Sequence, residues 1–241
     1  MPGQRSHDGT LWMKKSRPSI PGPDELSKIY RTRFSGLDSY RRAIWKHIIT
    51  QLLSPWIPSG GQILDLGAGH GEFINQVTSR GRLWAMDMNP DTGKFLEPKV
   101  TFLRQDCSRP WKISSRSLDF VFTSNFFEHL PDKECLKRTL QQAFRALRPG
   151  GHLVALGPNI RLVPGAYWDF WDHYLPLTER SLAEAGKLVG FTVERSLAAT
   201  LPYSMSQGFQ PPLWAVRVYL AMPILWRFFG KQFLVVLRKP S

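Results

Sequence analysis

Residues 63–73, ILDLGAGHGEF, constrain this chain more than any other stretch. A short apolar run reads as a buried strand, and Gly67, Gly69 and Gly71 follow where that strand must turn into a helix. Without a Cβ the backbone there can bend sharply and come close to a ligand. A strand ending in such a loop belongs to an open α/β sheet, whose ligands bind at the carboxyl ends of its strands. A dinucleotide loop reads GxGxxG, whereas Glu72 stands here where the third glycine would be. Asp65 and Glu72 would repel a pyrophosphate held on the same backbone N–H groups. Asp65 suits a cationic ligand instead.

The rest of the chain supplies the sheet. Apolar or β-branched runs at 62–66, 82–87, 100–104, 118–123, 152–156, 191–197 and 232–238 predict strands. Between them, Leu136, Leu140, Ala143, Phe144 and Leu147 recur at helical spacing over 132–148, ahead of the stop Pro149-Gly150-Gly151. A second helix is expected over 178–188, capped by Thr178 and ended by Gly190. The expected fold is α/β, a Rossmann-like seven-stranded, mostly parallel sheet with helices on both faces, an N-terminal helical extension and a helical insertion before the last strand. Residues 1–60 read as a proline-bearing arm and helices on the substrate side. Residues 61–241 read as the main domain, with 201–230 as its insertion.

Composition narrows the setting. With 241 residues, 42% of them hydrophobic, the chain suits one core with additions rather than two domains. Cys107 and Cys135 lie far apart in the sequence with no CxxC spacing, which argues against a disulfide scaffold or a thiolate zinc site and for a reducing cytoplasm. The polar start lacks the apolar core of a signal peptide. VYLAMPILW at 218–226 contains Pro223 and falls short of the roughly 20 residues of a membrane span. The net charge of +13 sits mainly in the flanks, at +6 over residues 1–60 and +5 over 201–241 against +2 between. Such flanks solubilise, or they attract nucleic acid or an anionic membrane surface. Over 213–229 the pattern is apolar nearly all round, interrupted by Arg217 and Arg227 alone. A helix there is expected either buried, against the core or a second copy, or lying at an anionic membrane beside the mouth for a lipid-linked acceptor.

Over residues 24–200 the chain resembles the class I S-adenosylmethionine-dependent methyltransferases, on five motifs in order: ILDLGAGHGEF, LWAMDMN, LRQDCS, LDFVFTSNFFEHL and LRPGGHLVALGPN. The resemblance implies S-adenosylmethionine as cofactor. It places Gly67, Ala68, Gly69 and Gly71 around the methionine moiety, with Asp65 anchoring the loop. Asp87, followed by Met88, is implied to accept both ribose hydroxyls, and Asp106 and Cys107 to meet the adenine edge. Ser124, Asn125 and Phe126 are implied to face sulfonium and acceptor. Trp84 and Trp111 either pack or line the adenine slot. The segments IYRTRFSGLDSYRRAIWK and YWDFWDHYLPLTERSLAEAGKLVGF are similar to methyltransferases of bacterial glycan and small-molecule pathways, which implies a hydroxyl on a sugar, a glycolipid or another small molecule as acceptor.

Transfer from sulfonium needs acceptor and methyl held collinear, and it needs a base only when the acceptor must lose a proton, as a hydroxyl does. His129 and His173 are the candidate bases, since imidazole titrates near neutrality. NFFEH also resembles the ExxEH metal cluster of some small-RNA and quinone-pathway O-methyltransferases, with Glu128 and His129 matching and His173 able to serve as third ligand. Asn125 replaces the first glutamate and weakens that set for Mg²⁺ or Mn²⁺, so O-methylation without an essential metal is expected. SNFFEH lacks the prolines of the NPPY loop and no RNA-binding motif is visible, which disfavours nucleic acid. The alternatives are an RNA or protein methyltransferase using the basic flanks, or an inactive S-adenosylmethionine-binding protein. Oligomeric state is left open.

Overall fold

A computed structural model describes residues 38–203 and 210–241. The proline-bearing arm expected at the start of residues 1–60, and any helix before residue 38, lie outside the described residues. Helix α1 (Asp38–His47) runs into a π-helical stretch, Ile48–Leu53, before the first strand. The strands are β1 (Ile63–Leu66), β2 (Leu83–Asp87), β3 (Val100–Arg104), β4 (Leu118–Ser124), β5 (Leu147–Pro158), β6 (Thr192–Leu197) and β7 (Gln232–Arg238). They form one sheet in the order β3-β2-β1-β4-β5-β7-β6. β1 pairs in parallel with β2 and β4, β2 with β3 and β4 with β5, while β7 runs antiparallel to β5 and β6. The strand order reverses about β1, so a crevice opens beyond the carboxyl ends of β1 and β4.

Strands covered on both faces carry near-continuous apolar sequence, which is why β1 is buried throughout and β7 at six of its positions. One face of the sheet is covered by α2 (Lys133–Ala146) and α3 (Glu179–Val189), whose Leu136, Leu140, Ala143 and Leu182 meet Leu153, Val235 and Leu237. On the other face Ile44, Ile48, Leu52 and Leu53 pack in one core with Ile63, Phe120, Val154 and Val236, so the segment ahead of β1 shares the core of the sheet. The helix ends follow the residues that could cap them. Asp132 accepts the Cys135 N–H at 2.6 Å to start α2, and Lys239 Nζ donates to the Phe144 and Leu147 carbonyls at its end. Thr178 and Ser181 form a capping box on α3, and Gly190 ends it at φ 114°.

Three local expectations are corrected. No regular helix follows the glycine loop. Gly69 and Gly71 hold positive φ, and residues 72–77 make turns with isolated i→i+4 bonds from Asn75 and Val77, too few to propagate. By contrast α2 starts at Lys133, in line with the helix expected over 132–148, and His129 lies ahead of it in a 3₁₀ turn, Phe127–His129. The Pro149-Gly150-Gly151 stop is absorbed into β5. Residues 213–229 form two helices, α4 (Leu213–Ala221) and α5 (Pro223–Phe229), because Pro223 has no N–H to continue the ladder and disfavours helical geometry at Met222, which adopts φ −118°, ψ 85°.

Candidate functional site

A cleft of about 300 Å³ opens at the carboxyl ends of β1, β2 and β4, within the size range of small-molecule sites. Gly67, Ala68 and Gly69 form its floor. The Gly67 and Ala68 N–H groups donate to the Met86 carbonyl at 2.8 and 3.2 Å, tying the loop to β2. Gly67 stands at φ 72°, and a Cβ on it would collide with the Phe126 ring, so both backbone angle and space require glycine there.

Asp87 ends β2 with one carboxylate oxygen accepting the Gly69 N–H at 2.9 Å and the other the Asn89 N–H at 2.8 Å. A carboxylate offers about four acceptor positions, so with the Met88 N–H also acting on it some capacity remains for a diol. Burial raises its pKa against the opposing pull of those N–H bonds. Met88 lines the cleft beside it. Further along, Asp106 and Cys107 form the wall. Asp106 Oδ1 accepts from the Ser108 N–H and hydroxyl at 2.8 Å each, so it also shapes its own turn. Cys107, remote from Cys135 in sequence, meets it here, and both buried thiols are free and line the cleft. A hydrogen bond with Cys135 and then burial push the Cys107 thiol up, and Thr139 Oγ1 lies 3.2 Å from its sulfur. Trp111 is buried with Nε1 donating to the Cys107 carbonyl at 2.8 Å, and Trp84 packs against the same core. Neither lines the cleft, so of the two readings for these indoles packing holds.

Two glycine-loop residues stand apart. Asp65 is 4% exposed beneath the loop and does not line the cleft. Burial holds its carboxyl well above the ordinary range, the Glu72 charge adds to this, and the Ile74 N–H opposes it. Gly71 lies in an adjoining hollow, while His70 and Glu72 line both that hollow and the cleft. Glu72 pairs with Arg41. The electrostatic case against a pyrophosphate therefore rests on Asp87 rather than on Asp65 and Glu72.

The other end of the cleft belongs to the acceptor-side candidates. Ser124, Asn125 and Phe126 close β4, with Asn125 in the left-handed region at φ 48°, a conformation that Asn tolerates better than most residues. The 3₁₀ turn then presents Glu128 and His129. The Glu128 carbonyl accepts the Tyr174 and Leu175 N–H groups at 2.8 and 3.0 Å, which pins a segment from after β5 against this turn. His129 and Asp172 are thereby joined across 43 residues, with His129 Nδ1 2.8 Å from the Asp172 carbonyl oxygen and 3.2 Å from its carboxylate. Two acceptors on one ring nitrogen fix the proton at Nδ1 and leave the Nε2 electron pair available. The His173 ring lies edge-on to His129 at 5.0 Å and stacks on Phe170 at 4.9 Å. Glu128, His129 and His173 each present a ligating atom within 4.8 Å of the others. Near them the Tyr167 hydroxyl, donating to the Leu175 carbonyl at 2.6 Å, is raised by burial and then by the Glu128 charge.

The cleft also gathers residues with no signal in the sequence. Arg41, Ile44 and Trp45 of α1 also line it, with Leu201 and Tyr203 from the start of the insertion and Gln232 just beyond its end. Helical periodicity marks α1 as amphipathic, but nothing in a single sequence says which stripe meets a ligand.

Comparison with known proteins gives the family and the fold. The family described as "Methyltransferase domain" matches residues 37–196, well over half of the chain. Methyltransferase str2 of Strobilurus tenacellus is 25% identical over 143 residues, covering 58% of this chain, and the match spans about half (49%) of that relative's length. Demethylmenaquinone methyltransferase of Roseiflexus sp. strain RS-1 is 20% identical over 83% of this chain and 91% of its own. Among solved structures, a chain from the Haloferax volcanii complex of the Trm112 methyltransferase activator with a methyltransferase superposes at a TM-score of 0.66, with 20% identity over 92% of this chain and 98% of that one. An S-adenosylmethionine-dependent methyltransferase from Archaeoglobus fulgidus gives 0.61, with 20% identity over 84% and 97%. The chain belongs to the methyltransferase-domain family, and it shares its fold with the S-adenosylmethionine-dependent methyltransferase from Archaeoglobus fulgidus.

Proposed function

We propose that the chain O-methylates a hydroxyl of a small molecule, a sugar or a lipid-linked glycan, with His129 and His173 providing the base. One observation carries the reading: a single cleft has the glycine loop and Asp87 at one end and the Asp172–His129–His173 group at the other. S-adenosylmethionine supplies a methyl carbon on cationic sulfur, open to in-line displacement by an acceptor oxygen. Asp87 would hold the ribose diol through the acceptor capacity that its backbone bonds leave. Gly67 and Gly69 let the backbone approach the donor, and Phe126 stands over the loop where the acceptor must enter. His129, its Nδ1–H committed to Asp172, takes the hydroxyl proton at Nε2 as the oxygen–carbon bond forms, and the Asp172 carboxylate then stabilises the imidazolium. His173 borders the same space.

The test is transfer of labelled methyl to fractionated extract, which identifies the acceptor without presuming its class. Replacing the base, by His129→Ala or His173→Ala, is expected to lower the rate about 10²- to 10⁴-fold while donor affinity changes little. Methyl on carbon or nitrogen of the product overturns the hydroxyl reading, and conversion of demethylmenaquinone would align the chain with the relative named for it. A second reading is favoured by the mutual proximity of Glu128, His129 and His173, which could hold a divalent cation through two imidazoles and a carboxylate. Activity abolished by chelation and restored by Mn²⁺ or Mg²⁺ would select it.

A further inference from the structure

Helices α4 and α5 turn apolar side chains away from the protein. In α4, Val216 and Leu220 are buried toward α1 and the π-helical stretch, as one stripe of a packed helix should be. The opposite side, where a helix in water is polar, carries Trp214 (69% exposed) and Val218. α5 buries no residue, and its Ile224, Phe228 (68% exposed) and Phe229 face outward too. Scattered exposed apolar side chains are ordinary, but a run of them along two adjacent helices needs a cover. The charges say which kind. Arg217 and Arg227 are both exposed within the outward faces, and residues 201–241 hold five basic and no acidic residues. A second copy docked face to face would bring these arginines against their equivalents, whereas an anionic surface neutralises them. Tryptophan and phenylalanine beside arginine are the side chains that settle at a headgroup boundary. Among the described residues no helix is long and apolar enough to cross a bilayer, so contact would be with its surface.

We propose that α4 and α5 form a peripheral docking face for an anionic lipid bilayer. The face adjoins the cleft. Leu201 and Tyr203 before it and Gln232 after it line the cleft, and α1, whose Ile44 and Trp45 also line it, shares the α4 core. A docked protein presents the acceptor end of the cleft toward the lipid, where a hydroxyl carried on an apolar anchor is available. That last step rests on the proposed methyl transfer, whereas the docking does not.

Co-sedimentation of the full chain tests it, with vesicles of phosphatidylcholine alone and of phosphatidylcholine mixed equally with phosphatidylglycerol. The wild type is expected to bind the mixed vesicles, to bind the neutral ones far less, and to be released by high salt. Each basic residue near the surface contributes about a fivefold factor, so Arg217→Glu with Arg227→Glu is expected to lower partitioning about twenty-five-fold or more. Trp214→Ser with Phe228→Ser keeps the charge and is expected to weaken binding as well. Calorimetric titration with S-adenosylmethionine, unchanged in both double variants, establishes that they are folded. Equal partitioning of wild type and charge variant overturns the proposal. So does a vesicle-free dimer, seen by light scattering, that the Trp214→Ser, Phe228→Ser variant dissociates. Vesicle binding without donor binding in the wild type would sink the methyl-transfer reading and leave the docking face intact.

Discussion

Two aspartates of one sheet show how far residue type alone can be read. Asp87 and Asp65 both stand near strand ends in motifs that resemble the same family, yet only Asp87 reaches the cleft, with acceptor capacity left. Losing it is expected to weaken S-adenosylmethionine binding about ten- to hundredfold, the equivalent of roughly 1.5–3 kcal/mol for charge-assisted hydrogen bonds. Calorimetry on Asp87→Ala, with a thermal melt to confirm folding, measures this. Asp65 acts on stability instead. Its carboxyl is raised first by burial and then by Glu72, so the folded chain holds a proton to higher pH than the unfolded chain does. Below the ordinary aspartate range both states are protonated and no cost arises. As pH rises from there to the folded value the cost grows, and above it the cost is complete. Asp65→Asn removes the charge and can still accept the Ile74 N–H. It is expected to melt with the wild type in acid and about 2–4 °C higher near neutrality for each kcal/mol recovered. A variant that melts lower at neutral pH would show that the charge is held for the loop rather than against it.

The elements were legible where burial is two-sided and obscure where a single residue decides. Strands β1, β4, β5 and β7 stand out because a run such as QFLVVLR can satisfy neither a helical stripe nor a solvated face. α2 and α3 stand out because period and caps agree. The glycine loop after β1 implies a helix beyond Gly71, but positive φ at Gly69 and Gly71 takes up the residues from which it would have grown. Pro223 was visible as a breaker, yet an apolar run on both sides of it reads as one helix until Met222 is seen to leave helical geometry. The loop itself yields a sharper test. Gly67→Ala forces a left-handed residue with a Cβ, costing roughly 1–2 kcal/mol, and displaces Phe126 as well. Both a lower melting temperature and weakened donor binding are expected. A fall in stability with donor affinity unchanged would separate the loop from the donor.

At the scale of the whole molecule the cleft is assembled from segments that no local pattern connects. His129 was found through its motif and His173 through its neighbours, but their meeting depends on two backbone bonds to the Glu128 carbonyl that join the β4 exit to a segment beyond β5. The same distance hid Arg41, Trp45 and Tyr203, and made Cys107 and Cys135 look unrelated. Residues brought together in this way are expected to act as a unit, which a double-mutant cycle can read. Asp172→Asn leaves the backbone carbonyl 2.8 Å from His129 Nδ1, so the tautomer survives while the negative charge that would stabilise an imidazolium is gone. In a metal-free proton transfer, the single change should lower kcat for methyl transfer about 10- to 10²-fold, with donor affinity intact and melting temperature near that of the wild type. In His129→Ala the imidazolium never forms, so adding Asp172→Asn should cost little more. Should the two losses multiply instead, Asp172 serves something other than His129. Should added Mn²⁺ restore the Asp172→Asn enzyme, His129 is a ligand oriented by Asp172, and the cation on Glu128, His129 and His173 becomes the reading that stands.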